Sequence, residues 1–180
     1  MKRFTRIAVG FAVISSTAAI CAGKDIEDST PTPMPILSTE ISGSDLGFFM
    51  GAGPQMALLE RLSELAQKRA VTPEVKSEAG MVLKEQTDAA VRLKTLAAAR
   101  HVPVADEPDE AGKKILQSLG KLDGVQFDKA FLNAQGDAND ALEASLDAGA
   151  GSTDGEIKAF AQAELQALTA EKERVRKLGL

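Results

Sequence analysis

The sequence predicts an all-α protein, an antiparallel four-helix bundle with an extra short helix in the connection between the second and third long helices. Three observations carry that reading. From residue 45 onward apolar residues recur at spacings of three and four. No stretch alternates with period two for long enough to form a strand. Cap and turn signals, Thr72-Pro73 and Gly149 to Ser152 among them, divide the pattern into segments of bundle length.

The first long helix is expected over about 45–70, with Ser44 as N-cap, Asp45 in its first turn and an inward stripe of Leu46, Phe49, Met50, Leu58, Leu62, Leu65 and Ala66. Pro54 lies inside this pattern and should kink or break it. Thr72 followed by Pro73 opens the second helix, about 73–100, whose stripe is Val75, Ala79, Val82, Gln86, Ala89, Leu93 and Leu96. A loop from His101 to Pro108 leads to the short helix, about 109–121, carrying Ile115, Leu116 and Leu119. The third long helix, about 124–148, turns Phe127, Phe131, Leu132, Leu142 and Leu146 inward. Thr153 and Glu156 have capping-box spacing and open the fourth, with Ile157, Phe160, Leu165, Leu168, Val175 and Leu178.

Ahead of the bundle domain, taken as 44–180, residues 1–22 read as a secretory signal peptide. Lys2, Arg3 and Arg6 form the basic start, and Ile7 to Ile20 form an apolar run too short to span a bilayer, for which roughly 20 residues are needed. Cleavage is expected after Ala22 or Gly23. Cys21 opens a second reading, as the lipidated cysteine of an anchored lipoprotein, although the bulky Ile20 precedes it. Residues 23–43, with Pro31, Pro33 and Pro35 among Ser, Thr and acidic residues, read as a disordered linker. Cleavage after Ala22 leaves a chain without cysteine, which suits an oxidising compartment. The expected location is the periplasm, or an association with the outer membrane, reached by export through the signal peptide.

Composition narrows function. The 180 residues include one His and one Cys, 4 % aromatics, no Trp and no Tyr, and the net charge is −5. A His-rich or Cys-rich metal site, a Cys/His catalytic pair and an aromatic platform for single-stranded nucleic acid all lack their parts. An acidic chain is a poor binder of polyanions, so no nucleic-acid partner is expected. No phosphate loop, nucleophile–base pair or cofactor motif is present, and no catalytic residue or cofactor is assigned.

Bundles keep their sites on inward faces, so polar residues that interrupt apolar stripes are informative. Gln86 interrupts the second helix between Val82 and Leu93. Asn139 lies four residues from Gln135 and three from Leu142 on the third. Glu164 and Glu171 fall on the line Ile157, Ala161, Leu168, Val175, Leu178 of the fourth. These four residues are expected to meet as a hydrogen-bonded polar layer that fixes helix register. The sharper alternative, a metal or proton site, would rest on Glu171 and Glu164. No Glu-x-x-His pair of the di-iron type occurs, so such a site would be weak and mostly oxygen.

Other features read as structural. His101, beside Arg100, suits a charge at the end of the second helix. Gly47 and Gly51 within LGFFMGAGPQMALL have GxxxG spacing and predict close core packing, with an exposed apolar patch for a partner or membrane surface as the alternative. The run Glu171-Lys172-Glu173-Arg174 reads as a solvated face from which Glu171 could turn inward.

The ordered elements resemble those of a bacterial exported family, the domain of unknown function numbered forty-one forty-two. The matching segments are LSELAQKRAVTPEVKSEAGMVLKEQTDAAVRLKTLA (Leu62 to Ala97), FDKAFLNAQ (Phe127 to Gln135) and IKAFAQAELQAL (Ile157 to Leu168). The resemblance spans roughly Asp45 to Leu178 and implies a ferritin-like four-helix bundle in an outer-membrane or periplasmic protein. This chain departs from the family pattern inside the bundle. Glu85-Gln86 stands where the family has an Asp-His pair, Asn139 and Glu171 fall near expected histidines, and Leu59 near an expected glutamate. The chain is thus expected to be a degenerate member and a non-catalytic envelope interaction or structural protein. The alternatives are a metal-binding or redox protein using Glu171, Glu164 and Gln86, and a lipid-anchored envelope protein. Its partners would be an envelope protein or a membrane surface.

Overall fold

The computed structural model describes residues 41–178, which form five helices and, among the described residues, no strand. They are α1 (Gly43–Arg69), α2 (Pro73–Ala98), α3 (Glu110–Leu119), α4 (Gly124–Ala150) and α5 (Gly155–Lys177). The expected signal segment, Cys21, Ala22, Gly23 and most of the expected linker lie outside the described residues.

Helix ends follow the cap chemistry, with two corrections. Ser42, not Ser44, caps α1, its hydroxyl accepting the Asp45 N–H at 3.0 Å. Asp154, not Thr153, caps α5, accepting the N–H groups of Glu156 and Ile157. In both places the sequence offers two polar residues within two positions of each other, and the one that caps has an extended backbone. α1 continues unbroken through Pro54. The carbonyl that Pro54 cannot serve belongs to Met50, which is 64 % exposed and so has water within reach. At the other end of α2, His101 takes a left-handed conformation (φ 56°). His101 N–H then bonds to Ala98 O and Val102 N–H to Ala97 O, closing a Schellman turn over the contact of two buried side chains, Val102 and Ala97.

Neighbouring long helices run antiparallel. Arg69, at the end of α1, donates to Gly120 O (2.9 Å) and Leu122 O (2.7 Å) just before α4. Near the start of α1, Gly51 lies against Ser145 near the end of α4. α5 returns along α4 and also meets α2, where Arg174 reaches Glu78 and Arg100 reaches Asp154. The core runs through all four long helices, with Phe48, Phe49, Met56, Leu59 and Leu62 on α1, Val82 and Leu93 on α2, Phe127, Phe131 and Leu142 on α4, and Ile157 and Leu168 on α5. Close approach depends on small residues. A Cβ at Gly149 would sit 2.7 Å from the Phe48 ring and 3.0 Å from Ala161, and one at Gly53 would sit 2.6 Å from Val104. The predicted glycine pair divides, since Gly51 packs closely while Gly47 faces open space. Leu46 and Met50, expected inward, are exposed, and Phe48 takes the core position instead.

One buried acid fastens the α1–α2 turn to α4. Asp128, 3 % exposed, accepts the N–H groups of Val71 and Thr72 at 3.1 and 2.8 Å. Removing its carboxylate strands two backbone donors, and bonds to a charged acceptor contribute about 1.5–3 kcal/mol each. Asp128→Ala should therefore lower unfolding free energy by about 2 kcal/mol or more in urea titration, with Asp128→Asn losing less. Equal stability of Asp128→Ala and the parent would contradict this role.

Candidate functional site

The interior polar layer is built on Glu171, which is 1 % exposed. Gln135 Nε2 and Asn139 Nδ2 of α4 donate to its Oε1 at 2.8 and 2.9 Å, and Gln86 Nε2 of α2 donates to its Oε2 at 3.3 Å. Three helices are thereby joined at one carboxylate. Its position follows from heptad-like spacing on α5, where Ile157, Ala161, Glu164, Leu168 and Glu171 are the buried residues. Gln135 and Asn139, four apart on α4, present their amides from consecutive turns. Desolvating a carboxylate is costly unless hydrogen bonds replace its water, and three amide donors do so here. Three acceptors are left over: Gln86 Oε1, Gln135 Oε1 and Asn139 Oδ1 have no hydrogen-bond partner among the described residues.

The run Glu171-Lys172-Glu173-Arg174, expected to be a solvated face, instead fastens α5 on two sides. Lys172 bridges to Asp140 and Glu143 of α4, and Arg174 to Glu78 and Glu85 of α2. Only Glu173 looks outward, pairing with Arg176 within α5. Consecutive helix residues point about 100° apart, so a run of charges can serve a core and both flanks at once.

The α2–α5 seam is correspondingly polar along its length. Its rungs are Glu78/Glu85–Arg174, Gln86–Glu171, Arg92–Glu164 (2.8 Å) and Arg100–Asp154/Glu156. Burial pushes the Glu78 carboxyl above the ordinary carboxylate range; Arg174 opposes this, and the nearby charges of Glu171 and Glu85 add to it. Burial likewise raises the Glu164 carboxyl, against the pull of Arg92.

The structure thus brings Gln86, Asn139 and Glu171 together and adds Gln135, while Glu164 is engaged with Arg92 elsewhere on the seam. Leu59 is fully buried among apolar residues and Glu85 turns to Arg174. His101 is exposed in the Schellman turn, away from this layer. The sequence reading missed Glu78, Asp128 and Arg174. Glu78 borders the α2 stripe beside Ala79, and its spacing of seven from Glu85 is the signal that could have found it.

Chemically, the layer offers one carboxylate and three amides, an all-oxygen donor set toward any cation. Among the described residues no group of three or more His, Cys, Asp or Glu side chains is placed to hold a metal ion. No described helix is long and apolar enough to cross a membrane.

These features define a class, an α-helical bundle with a closed, amide-lined polar interior. The chain belongs to the family described as "Domain of unknown function (DUF4142)", which matches residues 38–178. Comparison with curated proteins and with solved structures gave no match.

Two outcomes are expected from this geometry. Glu171→Ala leaves three amide donors unpaired in a cavity and should cost about 3–5 kcal/mol of unfolding free energy, whereas Glu171→Gln, of the same shape, should cost less than half as much. Similar costs for the two would contradict this, showing that only the carboxylate's two acceptors serve the three donors and that shape counts for little. For Glu164, a proton is held more tightly in the fold than in the unfolded chain, so its stability contribution is full below the unfolded carboxyl's range and is lost as pH rises through the raised folded value. Glu164→Gln should consequently raise Tm at pH 7, with the gain vanishing at about pH 4. A gain that persists or grows at the acid end would contradict the assignment.

Proposed function

We propose that this chain is a non-catalytic protein of the bacterial envelope, exported through residues 1–22, whose bundle is ferritin-like in arrangement and serves a structural or interaction role. The observation that carries this is the closed interior. At the depth where bundles build their ligand sites, the carboxylate of Glu171 is engaged by three amides from α2 and α4. The ferritin-like reading is supported by the antiparallel neighbours and by the single long connection, residues 99–123, which contains α3. A contact surface is supported at the start of α1. There Leu46 (38 % exposed) and Met50 (64 %) stand one turn apart with open Gly47 between them, close to where the chain enters from the expected export segment. A metal-binding or redox protein using Glu171, Glu164 and Gln86 fits less well, because Glu164 is paired with Arg92 and, among the described residues, no group of three His, Cys, Asp or Glu side chains is placed to hold a metal ion.

Expressing the full chain with a C-terminal tag in a bacterium and fractionating the cells tests the reading. The tagged protein should appear in the periplasmic or outer-membrane fraction with a mass beginning at Gly23 or Lys24. A lipid-sized mass increment on Cys21, abolished by Cys21→Ser, would make it an anchored protein. Cytoplasmic protein retaining residues 1–22 would refute export.

A further inference from the structure

Charge is divided unevenly along the bundle, although the chain as a whole carries −5. One end gathers the close of α1, the α1–α2 turn and the opening of α4. There Lys68, Lys76, Lys121 and Lys129 are exposed and form no ion pair among the described residues. Hydrogen bonds bring their stretches of chain together. Arg69 donates to Gly120 O and Leu122 O on either side of Lys121, Gln67 Nε2 donates to Lys76 O, and Asp128, next to Lys129, accepts from Val71 and Thr72. The acids of the same segments are mostly engaged. Asp123 is paired with Arg69 and Asp128 is buried, which leaves Glu74 exposed and without an ion pair among the described residues. The last turn of α5, fastened here by the Arg174–Glu78 pair, adds Arg174, Arg176 and Lys177.

Two large apolar side chains are exposed at this end, Val71 at 57 % and Val125 at 60 %. Val71 N–H is bonded to Asp128, and Val125 lies three residues before Asp128 on α4, so both valines belong to the same tip as the lysines. The opposite end differs in kind. There α4 closes without a basic residue in its last turn and with Asp147 exposed, and Asp154 and Glu156 at the opening of α5 are engaged by Arg100. Apolar side chains among unpaired lysines suit an anionic bilayer, where the valines reach below the headgroups and the lysines meet their phosphates. A soluble polyanion would satisfy the lysines and leave the valines in water.

We propose that this end of the bundle docks on an anionic lipid surface, through Lys68, Lys76, Lys121 and Lys129 around Val71 and Val125. Docking is peripheral, since no described helix is long and apolar enough to cross a membrane. The attraction acts between exposed charges, so it weakens as salt rises. Leu46 and Met50, at the far end of α1, stay clear of the lipid and free for a protein partner. The lipid surface is thus a named partner for the interaction role proposed above and rests on that role. Because docking is read on purified protein, its failure and a failure of export are separate results.

The test places an environment-sensitive fluorophore on Val125→Cys in the full chain carrying Cys21→Ser, and on Met50→Cys in the same background as the comparison. Vesicles of phosphatidylcholine mixed with phosphatidylglycerol are set against phosphatidylcholine alone. The probe at 125 should shift to the blue with the anionic vesicles and little with the neutral ones. It should revert in about 1 M salt, where the screening length is about 3 Å. The probe at 50 should not shift. Lys121→Gln with Lys129→Gln should raise the anionic lipid needed for half the shift by about 30-fold, the loss of two lysine contacts. Both lysines are exposed and outside the core, so circular dichroism should report an unchanged helix content. The proposal is overturned by no shift at 125, by equal shifts at 50 and 125, or by an equal shift with neutral vesicles. The same shift in soluble polyphosphate without lipid would overturn it in favour of a polyanion.

Discussion

Burying one carboxylate sets the terms for this bundle. Glu171 sits at 1 % exposure on α5, and an ionised group there is tolerable only where donors converge on it. Those donors come from Gln86 on α2 and from Gln135 and Asn139 on α4. A shift of any of these helices by one turn, about 5.4 Å, would remove a donor and strand a charge. Apolar packing alone tolerates such shifts far better, because Leu, Ala and Val stripes look alike from turn to turn. The polar layer therefore specifies register, and the apolar core supplies most of the stabilisation.

The flanks of α5 obey the same constraint. Lys172 fixes it to α4 and Arg174 to α2, immediately beside the buried carboxylate. The α2–α5 seam is closed mainly by paired charges, whereas α1 packs against α2 and α4 through Phe, Met, Leu and close-fitting glycines. The two sides of the bundle thus differ in kind. The ionic seam responds to pH through Glu78 and Glu164.

Much of this was legible in the sequence. Helical period, Thr72-Pro73 and the glycine-rich turn near residue 150 located the five helices to within a few residues. Gln86, Asn139 and Glu171 stood out because each interrupts an apolar line, and the structure places them in one hydrogen-bonded group. Glu164 interrupts the same line but is claimed by Arg92, a choice between partners on different helices that spacing within one helix cannot show. Asp128 and Glu78 were hidden for a related reason. Their partners, the Val71–Thr72 backbone and Arg174, lie 57, 56 and 96 residues away in sequence. The misassigned start of α1 has a local cause. In Leu-Gly-Phe-Phe-Met four apolar residues compete for one face, and only packing decides that the two phenylalanines win.

The central claim is that residues on α2 and α4 act as one unit through the Glu171 carboxylate. Gln86 and Gln135 both bond to it, from different helices and to different oxygens, so their coupling tests the claim directly. A double-mutant cycle in urea with Gln86→Leu, Gln135→Leu and the pair should give an interaction energy of about 1 kcal/mol or more. Costs that add to within about 0.3 kcal/mol would mean that each amide acts alone and that the layer does not set the register of the bundle.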